Sequence, residues 1–393
     1  MIKPLNKIEK LIAELCPERV EHKPLGEIAT VKRGVRVVRS QLKKDGEYPV
    51  YQNSMTPLGY YEASNCPANT AFIISAGAAG EIGYSTVDFW AADDCFYFVC
   101  PEQLQSRFLY YALLCQQNYL FSRVRRASVP RLARSLVEGI KISIPPLAIQ
   151  EEIVKILDTF TTLEAELEAE LEARKKQYEY YREELLTFGE GVEQKTLGEV
   201  GTLIRGNGLQ KKDFVEDGFG CIHYGQIYTY YGTYANKTKT FVSPKLAKKL
   251  KKAQKGDVLI SGVSENIEDV CKPLGWLGDE ICISGDMFAF RHNQNTKFIT
   301  YLLQTTNFKR YKERFAHGAK VIRVKQDKIL NYKIPVPPLA EQERIVAILD
   351  KFDALVNDIS IGMPAEIIAR RKQYEYYRGK LLTFKSLEKE YAS

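Results

Sequence analysis

No apolar run in this 393-residue sequence reaches the ~18 residues that a membrane-spanning helix needs. Met1-Ile2-Lys3-Pro4-Leu5-Asn6 leads into no unbroken apolar core, so no secretion signal is expected. The eight cysteines never form a C-x-x-C pair. That disfavours metal knuckles and a disulfide framework, and favours a reduced, cytoplasmic protein without membrane association. The four histidines, His22, His223, His292 and His317, lie scattered, with no Cys or Asp at metal-ligand spacing. Phosphate loops and dinucleotide turns are missing, and Gly206-Asn207-Gly208 has two glycines where such a turn needs three. The N-P-P-[FYW] pattern of amino-methyltransferases is missing too. Asp93-Asp94 precedes an apolar strand and reads as a turn, not an acid pair. The chain is therefore expected to bind no cofactor or metal and to carry no catalytic site.

What is present is charge, unevenly placed. Net charge is +7. Residues 151–188 hold eleven Asp/Glu against five Lys/Arg, a net of −6, so the remainder carries +13. Residues 197–335 alone hold 23 Lys/Arg against 13 Asp/Glu, or +10. A basic globular segment beside an acidic helix suits a nucleic-acid binder with a separate protein-contact element. A solvated lysine-rich surface would give the same totals.

The sequence also repeats itself, which decides its architecture. Residues 144–158 read IPPLAIQEEIVKILD and residues 336–350 read VPPLAEQERIVAILD, an offset of 192. Residues 173–188 read ARKKQYEYYREELLTF and residues 369–384 read ARRKQYEYYRGKLLTF, an offset of 196. The second copy therefore has a four-residue insertion, near Ser360–Pro364. Earlier segments correspond as well. Leu25-Gly26-Glu27 matches Leu197-Gly198-Glu199, and each is followed by an Arg-Gly pair, Arg33-Gly34 and Arg205-Gly206. Ala127–Leu132 matches Ala319–Val324, and Arg19–Glu27 matches Gly191–Glu199. Ile8–Leu15 then occupies the place of the end of a long helix, which implies a circular arrangement with the N-terminal turn near the C-terminal helix.

Proline pairs at 145–146 and 337–338 separate globular domain from helix. Beyond the first pair, apolar residues from Ile153 to Phe188 recur in steps of three and four, with one seven-residue step from Leu171 to Tyr178, a stripe close to a coiled-coil seam. Thirty-eight residues at ~1.5 Å each make a rod of about 57 Å. Gly362 and Pro364 should break the second helix. The two stripes are expected to pack as an antiparallel pair; the alternative is that each helix packs on its own domain. Three four-residue units, LEAE, LEAE and LEAR, occupy Leu163–Arg174. One unit lengthens a helix by ~6 Å and rotates the rest of it by roughly 40°.

Residues 25–143 and 197–335 read as mixed β with a few helices. Strands are expected at Thr70–Ser75, Cys95–Cys100, Val258–Ser261 and Met287–Arg291, and helices at Phe108–Cys115 and Phe298–Leu303. The fold class is α+β: two mixed-β domains separated by two long helices, with pseudo-two-fold symmetry. The expected division is 1–24 (N-terminal helical segment), 25–143 and 191–335 (globular domains), 144–190 and 336–385 (helical spacers), and 386–393 (tail). Basic and amide side chains gather at matching places. One group follows the shared opening motif: Lys32, Arg33, Arg36 and Arg39 in the first domain, and Arg205, Asn207, Gln210, Lys211 and Lys212 in the second. The other precedes each long helix: Arg125, Arg126 and Arg131, then Lys320, Arg323 and Lys325. Arg, Asn and Gln make bidentate contacts to base edges, while Lys and Arg neutralise phosphates.

The doubled P-P-L-A-x-Q-E-x-I-V-x-I-L-D motif, the doubled K-Q-Y-E-Y-Y-R helix end and the doubled L-G-E opening resemble the specificity subunits of type I restriction-modification systems, over about residues 5–385. The resemblance implies a non-catalytic subunit with two target recognition domains, each reading half of an asymmetric, bipartite site in double-stranded DNA. It implies helical regions that dock two methyltransferase subunits, with restriction-translocase subunits joining the complex. S-adenosylmethionine, ATP and Mg²⁺ would serve those partners, and the tetrapeptide units would set the spacing between half-sites. The second recognition domain is longer by 20 residues, comparing 197–319 with 25–127 (122 against 102), so its half-site should differ. A coiled-coil adaptor without DNA readout and a self-sufficient restriction-modification enzyme are the competing readings.

Overall fold

A computed structural model describes residues 3–16, 20–126 and 128–384. Arg19, Ala127 and the expected tail 386–393 lie outside the described residues. The first copy runs α1 (Lys3–Leu15), β1 (His22–Pro24), β2 (Thr30–Arg33), β3 (Thr70–Ile74), β4 (Ile82–Ser85), β5 (Cys95–Val99), α2 (Ser106–Cys115), β6 (Lys141–Ser143) and α3 (Leu147–Leu185). The second runs β7 (Gln194–Thr196), β8 (Gly201–Arg205), β9 (Val258–Ser261), β10 (Val263–Ser264), β11 (Pro273–Trp276), β12 (Met287–His292), α4 (Thr296–Leu302), β13 (Ile322–Arg323), β14 (Lys333–Pro335), α5 (Leu339–Asn357) and α6 (Met363–Leu382). The four expected strands fall within one residue of those found. The two expected helices each start two residues earlier than expected.

Each domain is built on the same antiparallel sheet. Its order is β2-β5-β3-β4 in the first and β8-β12-β9-β11 in the second, where Tyr234–Ala235 adds a fifth strand, parallel to β11. Ile73 faces Phe96, and Ile260 faces Phe288. β3 and β9 lie in mid-sheet and are buried along their whole length, which is why they read as unbroken apolar runs rather than alternating ones. The extra length of the second domain widens a smaller sheet. That sheet has three strands in the first domain (Tyr60–Tyr61, Tyr48–Tyr51, Trp90–Ala91) and five in the second. In both, the shared core of this sheet is one parallel pair, Val50 opposite Trp90 and Ile222 opposite Ile283.

The chain forms two compact units, one of residues 1–166 with 368–393, the other of residues 167–367. In the first unit, the ring of Phe160 on α3 lies 5.6 Å from Tyr377 and 6.3 Å from Tyr374 on α6, and Glu164 pairs with Arg371. Position rises on α3 as it falls on α6, so these segments run antiparallel. Ile8 of α1 and Leu381 of α6 are buried in one core, as the circular arrangement requires. In the second unit, Tyr178 and Tyr181 of α3 stack on Phe352 of α5, and the Tyr178 hydroxyl donates to Asp353 at 3.3 Å. The repeated Y-x-x-x-R is a cation–π pair in both units: Arg182 over Tyr178 and Arg378 over Tyr374. The break between α5 and α6 lies at the insertion. Asp358 Oδ1 accepts from the Ser360 and Ile361 backbone amides, and Pro364 stands in the first turn of α6.

Two duplicated polar locks fix each domain to its helix. The motif glutamines Gln150 and Gln342 are wholly buried. Gln150 accepts from the Gln105 amide at 2.9 Å and donates to the Pro145 and Gln103 carbonyls. Gln342 accepts from the Asn295 amide at 3.0 Å and donates to the Pro337 carbonyl and Gln294 Oε1. Eight residues on, Asp158 accepts from the Tyr111 hydroxyl at 2.5 Å and pairs with Arg107. Asp350 likewise accepts from the Tyr301 hydroxyl at 2.7 Å and pairs with Lys297. Burial, together with the facing carboxylate, pushes both tyrosine pKa values up.

Candidate DNA-binding face

The repeated Arg-Gly pair ends a sheet strand in each domain. Gly34 donates its amide to the Cys95 carbonyl at 2.9 Å, and Gly206 donates to that of Met287 at 3.0 Å. A Cβ would stand 2.2 Å from the Ala92 carbonyl oxygen at Gly34, and 2.1 Å from the Ser284 carbonyl oxygen at Gly206. Glycine is needed for close backbone approach. The arginines are then anchored alike: Arg33 Nε donates to the Asp93 carbonyl at 2.7 Å, and Arg205 Nε donates to the Gly285 carbonyl at 3.0 Å. Both guanidinium groups remain exposed with their stems held. Asp93-Asp94 is the turn that receives the first of them.

The second basic group is a tight hairpin, again in duplicate. Arg125 and Arg131 exchange backbone hydrogen bonds of 2.9 and 3.1 Å, and His317 and Arg323 exchange bonds of 3.0 and 2.9 Å. Each hairpin adds to a strand end. Ala76 bridges to Arg131, and Val263 pairs with Arg323 in the β10–β13 ribbon. Leu132, Ile322 and Val324 are buried, whereas Arg125, Arg126, Arg131, Lys320, Arg323 and Lys325 are exposed. Strand alternation sends the flanking apolar residues into the core and the intervening arginine to solvent.

The two groups, far apart in sequence, meet in space. Ser75 donates its amide to the Asp94 carbonyl, and Gly262 donates to that of Asp286, each at 2.7 Å. These bonds tie the arginine-bearing turn to the strand end that carries the hairpin. In the second unit, Arg205, Arg323 and Lys325 line one cleft of about 260 Å³. A neighbouring cleft of about 500 Å³ is lined by Lys211, Lys320, His223, Tyr224, Tyr228 and Glu265, among others. Burial lowers the pKa of His223, with Lys211 adding to the shift.

The remaining candidates are placed less uniformly. Lys32 lies exposed on β2, and Arg36 and Arg39 are exposed in the segment after it. Gln210 and Lys212 are exposed at the turn Lys211–Asp213. The Asn207 side chain is already engaged: Nδ2 donates to the Lys249 carbonyl at 3.1 Å and Oδ1 accepts from the Lys251 amide at 2.5 Å. Sequence reasoning missed Lys312. It is 5% exposed, and its Nζ donates to the Glu268 and Val270 carbonyls at 2.5 and 2.6 Å. Comparison of the copies could have found it, because the matching position holds Leu120, fully buried.

Among the described residues, no group of three or more His, Cys, Asp or Glu side chains stands together as metal ligands would. All eight cysteines are free. No described helix is long and apolar enough to cross a membrane.

The model of the type I restriction modification DNA specificity domain matches this chain twice, over residues 17–173 and 189–369. A putative type I restriction enzyme specificity subunit of Haemophilus influenzae is 33% identical over 401 residues, covering 96% of this chain and 98% of the relative. The EcoR124I/EcoR124II specificity subunit of Escherichia coli is 33% identical over 407 residues, covering 97% of each. Among solved structures, the S subunit of the type I restriction-modification system of M. genitalium superposes with a TM-score of 0.57 at 17% identity, over 92% of this chain and 96% of that one. A chain from a structural study of complex assembly and conformational transition in the type I system superposes with a TM-score of 0.62 at 16% identity, over 93% and 98%. At such identities these two structures speak for the fold alone. The duplicated fold, the duplicated basic face and the relatives over nearly the whole chain agree: this protein belongs to the type I restriction-modification DNA specificity family, whose part in such systems is to recognise DNA.

Proposed function

We propose that the two globular domains each read one half of a split, asymmetric site in double-stranded DNA. The observation that carries this reading is the duplicated constellation of anchored arginine and basic hairpin, Arg33 with Arg131 and Arg205 with Arg323. A guanidinium held at its stem loses less freedom when it meets a phosphate or a base edge. Arg125, Arg126, Lys211, Lys320 and Lys325 add phosphate contacts around it. The helices would dock two methyltransferase subunits. Their repeat keeps one tyrosine equally exposed in both copies, Tyr180 at 64% and Tyr376 at 63%, which suits two copies of the same partner. Restriction-translocase subunits complete the assembly. S-adenosylmethionine, ATP and Mg²⁺ belong to those partners, and the complex works in the cytoplasm.

Arg131→Ala and Arg323→Ala test this in the assembled methylating complex. Each should weaken binding by about 1–3 kcal/mol, with Arg131→Ala acting on the first half-site and Arg323→Ala on the second. The readouts are affinity for duplexes altered in one half-site and the methylation pattern of genomic DNA. Unchanged affinity and pattern in either variant would remove the assignment of these clusters. Methyl transfer or DNA cleavage by the isolated chain would instead favour a self-sufficient enzyme.

A further inference from the structure

The two domains also differ beside the basic hairpin. In the first, residues 77–81 connect Ala76, bridged to Arg131, with Ile82, paired to Ile73. In the second, residues 264–272 connect the matching positions, Val263 and Pro273. Nine residues thus stand where the first domain has five. The short loop reads Gly-Ala-Ala-Gly-Glu and turns on Gly77 and Gly80 at φ +83° and +93°. The long one reads Ser-Glu-Asn-Ile-Glu-Asp-Val-Cys-Lys and is held from beneath by Lys312. A buried ammonium is tolerated only when hydrogen-bonded, and both of its bonds end on this loop. The Asn266 amide and the Asp269 carboxylate close on each other at 2.9 Å, and Ser264 Oγ accepts from the Asn266 amide N–H. Glu265 remains exposed on the rim of the 500 Å³ cleft it shares with Lys211 and Lys320.

A carboxylate on a phosphate-binding face is repelled by the DNA backbone and can only accept hydrogen bonds. The donors that a duplex offers it in the major groove are the amino groups of cytosine (N4) and adenine (N6). We infer that loop 264–272 enters the major groove of the half-site read by the second domain, and that Glu265 determines specificity there by accepting a hydrogen bond from one of these amino groups. This rests on the DNA-reading role of the domain.

The experiment compares Glu265→Ala and Glu265→Gln with the unaltered chain in the assembled methylating complex. It profiles methylated sites across genomic DNA and measures affinity for duplexes changed one base pair at a time. The expected result is a loss of discrimination of about tenfold or more at one base pair of the second half-site, with the first half-site read as before. Retained reading of the other base pairs of the second half-site doubles as the folding control. An unchanged profile in Glu265→Ala would overturn the inference, as would equal loss of affinity for every duplex. Arg323→Ala, measured alongside, separates the two levels. If it weakens binding while the Glu265 variants read normally, the loop assignment fails and DNA reading stands. If neither has an effect, both fail.

Discussion

His292 shows how one residue couples this fold to pH. The Gln294 amide donates to its Nδ1 at 3.1 Å, so the ring proton sits on Nε2, which is sealed from solvent without a partner. Burial pushes its pKa from the ordinary 6.5 down to about 4. The unfolded chain therefore takes up this proton near pH 6.5, while the folded chain resists until about pH 4. Its contribution is complete above pH 6.5 and is lost as pH falls toward 4, by at most about 3 kcal/mol. Urea melts at pH 7, 5.5 and 4.5 should show a smaller acid loss in His292→Gln than in the unaltered chain; equal slopes would sink the idea. Residue identity alone showed none of this, since the sequence marks His292 only as unpaired. The Arg-Gly pairs were different. Their duplication was plain in the sequence, but the reason for glycine, a carbonyl within 2.2 Å of any Cβ, needed the backbone. Asn207 stood out as a base reader by type, and only its bonds to Lys249 and Lys251 revealed its structural engagement.

At the scale of elements, periodicity was the strongest guide. The stripe from Ile153 to Leu185 became one unbroken helix, Leu147–Leu185, with the last expected member, Phe188, beyond its end, and Gly362 with Pro364 marked the break after Asn357. The buried strands were legible because they lie in mid-sheet and carry apolar residues on both faces. The short strands of the smaller sheets were not, because pairs such as Tyr60–Tyr61 owe their state to long-range partners rather than to local pattern. The tetrapeptide units lie wholly within α3, so their number can change without touching a cap. Deleting Leu167–Glu170 shortens the helix by ~6 Å and turns its remainder by roughly 40°. The preferred gap between half-sites should shrink by one to two base pairs, at ~3.4 Å each. Methylation profiling reads this directly, and an unchanged gap would mean that α3 is not the ruler.

At the scale of the whole molecule, chain order and unit order disagree. The unit of residues 167–367 is continuous, whereas the other needs both the N-terminal domain and the residues after 367. Tyr374 and Tyr377 face Phe160, and Leu381 shares a core with Ile8. A chain ending at residue 367 should keep the second recognition domain protected while the first loosens. Limited proteolysis with mass mapping should find early cuts in 25–143 and late ones in 197–335; equal protection would refute this. The same feature orders events on the ribosome. The domain translated first is the last to be completed, because its covering helix is among the last described segments to emerge. A nascent chain thus carries an unfinished first domain after the second is complete, until residues 368–384 have emerged, and a stop before them would disable the domain made earliest.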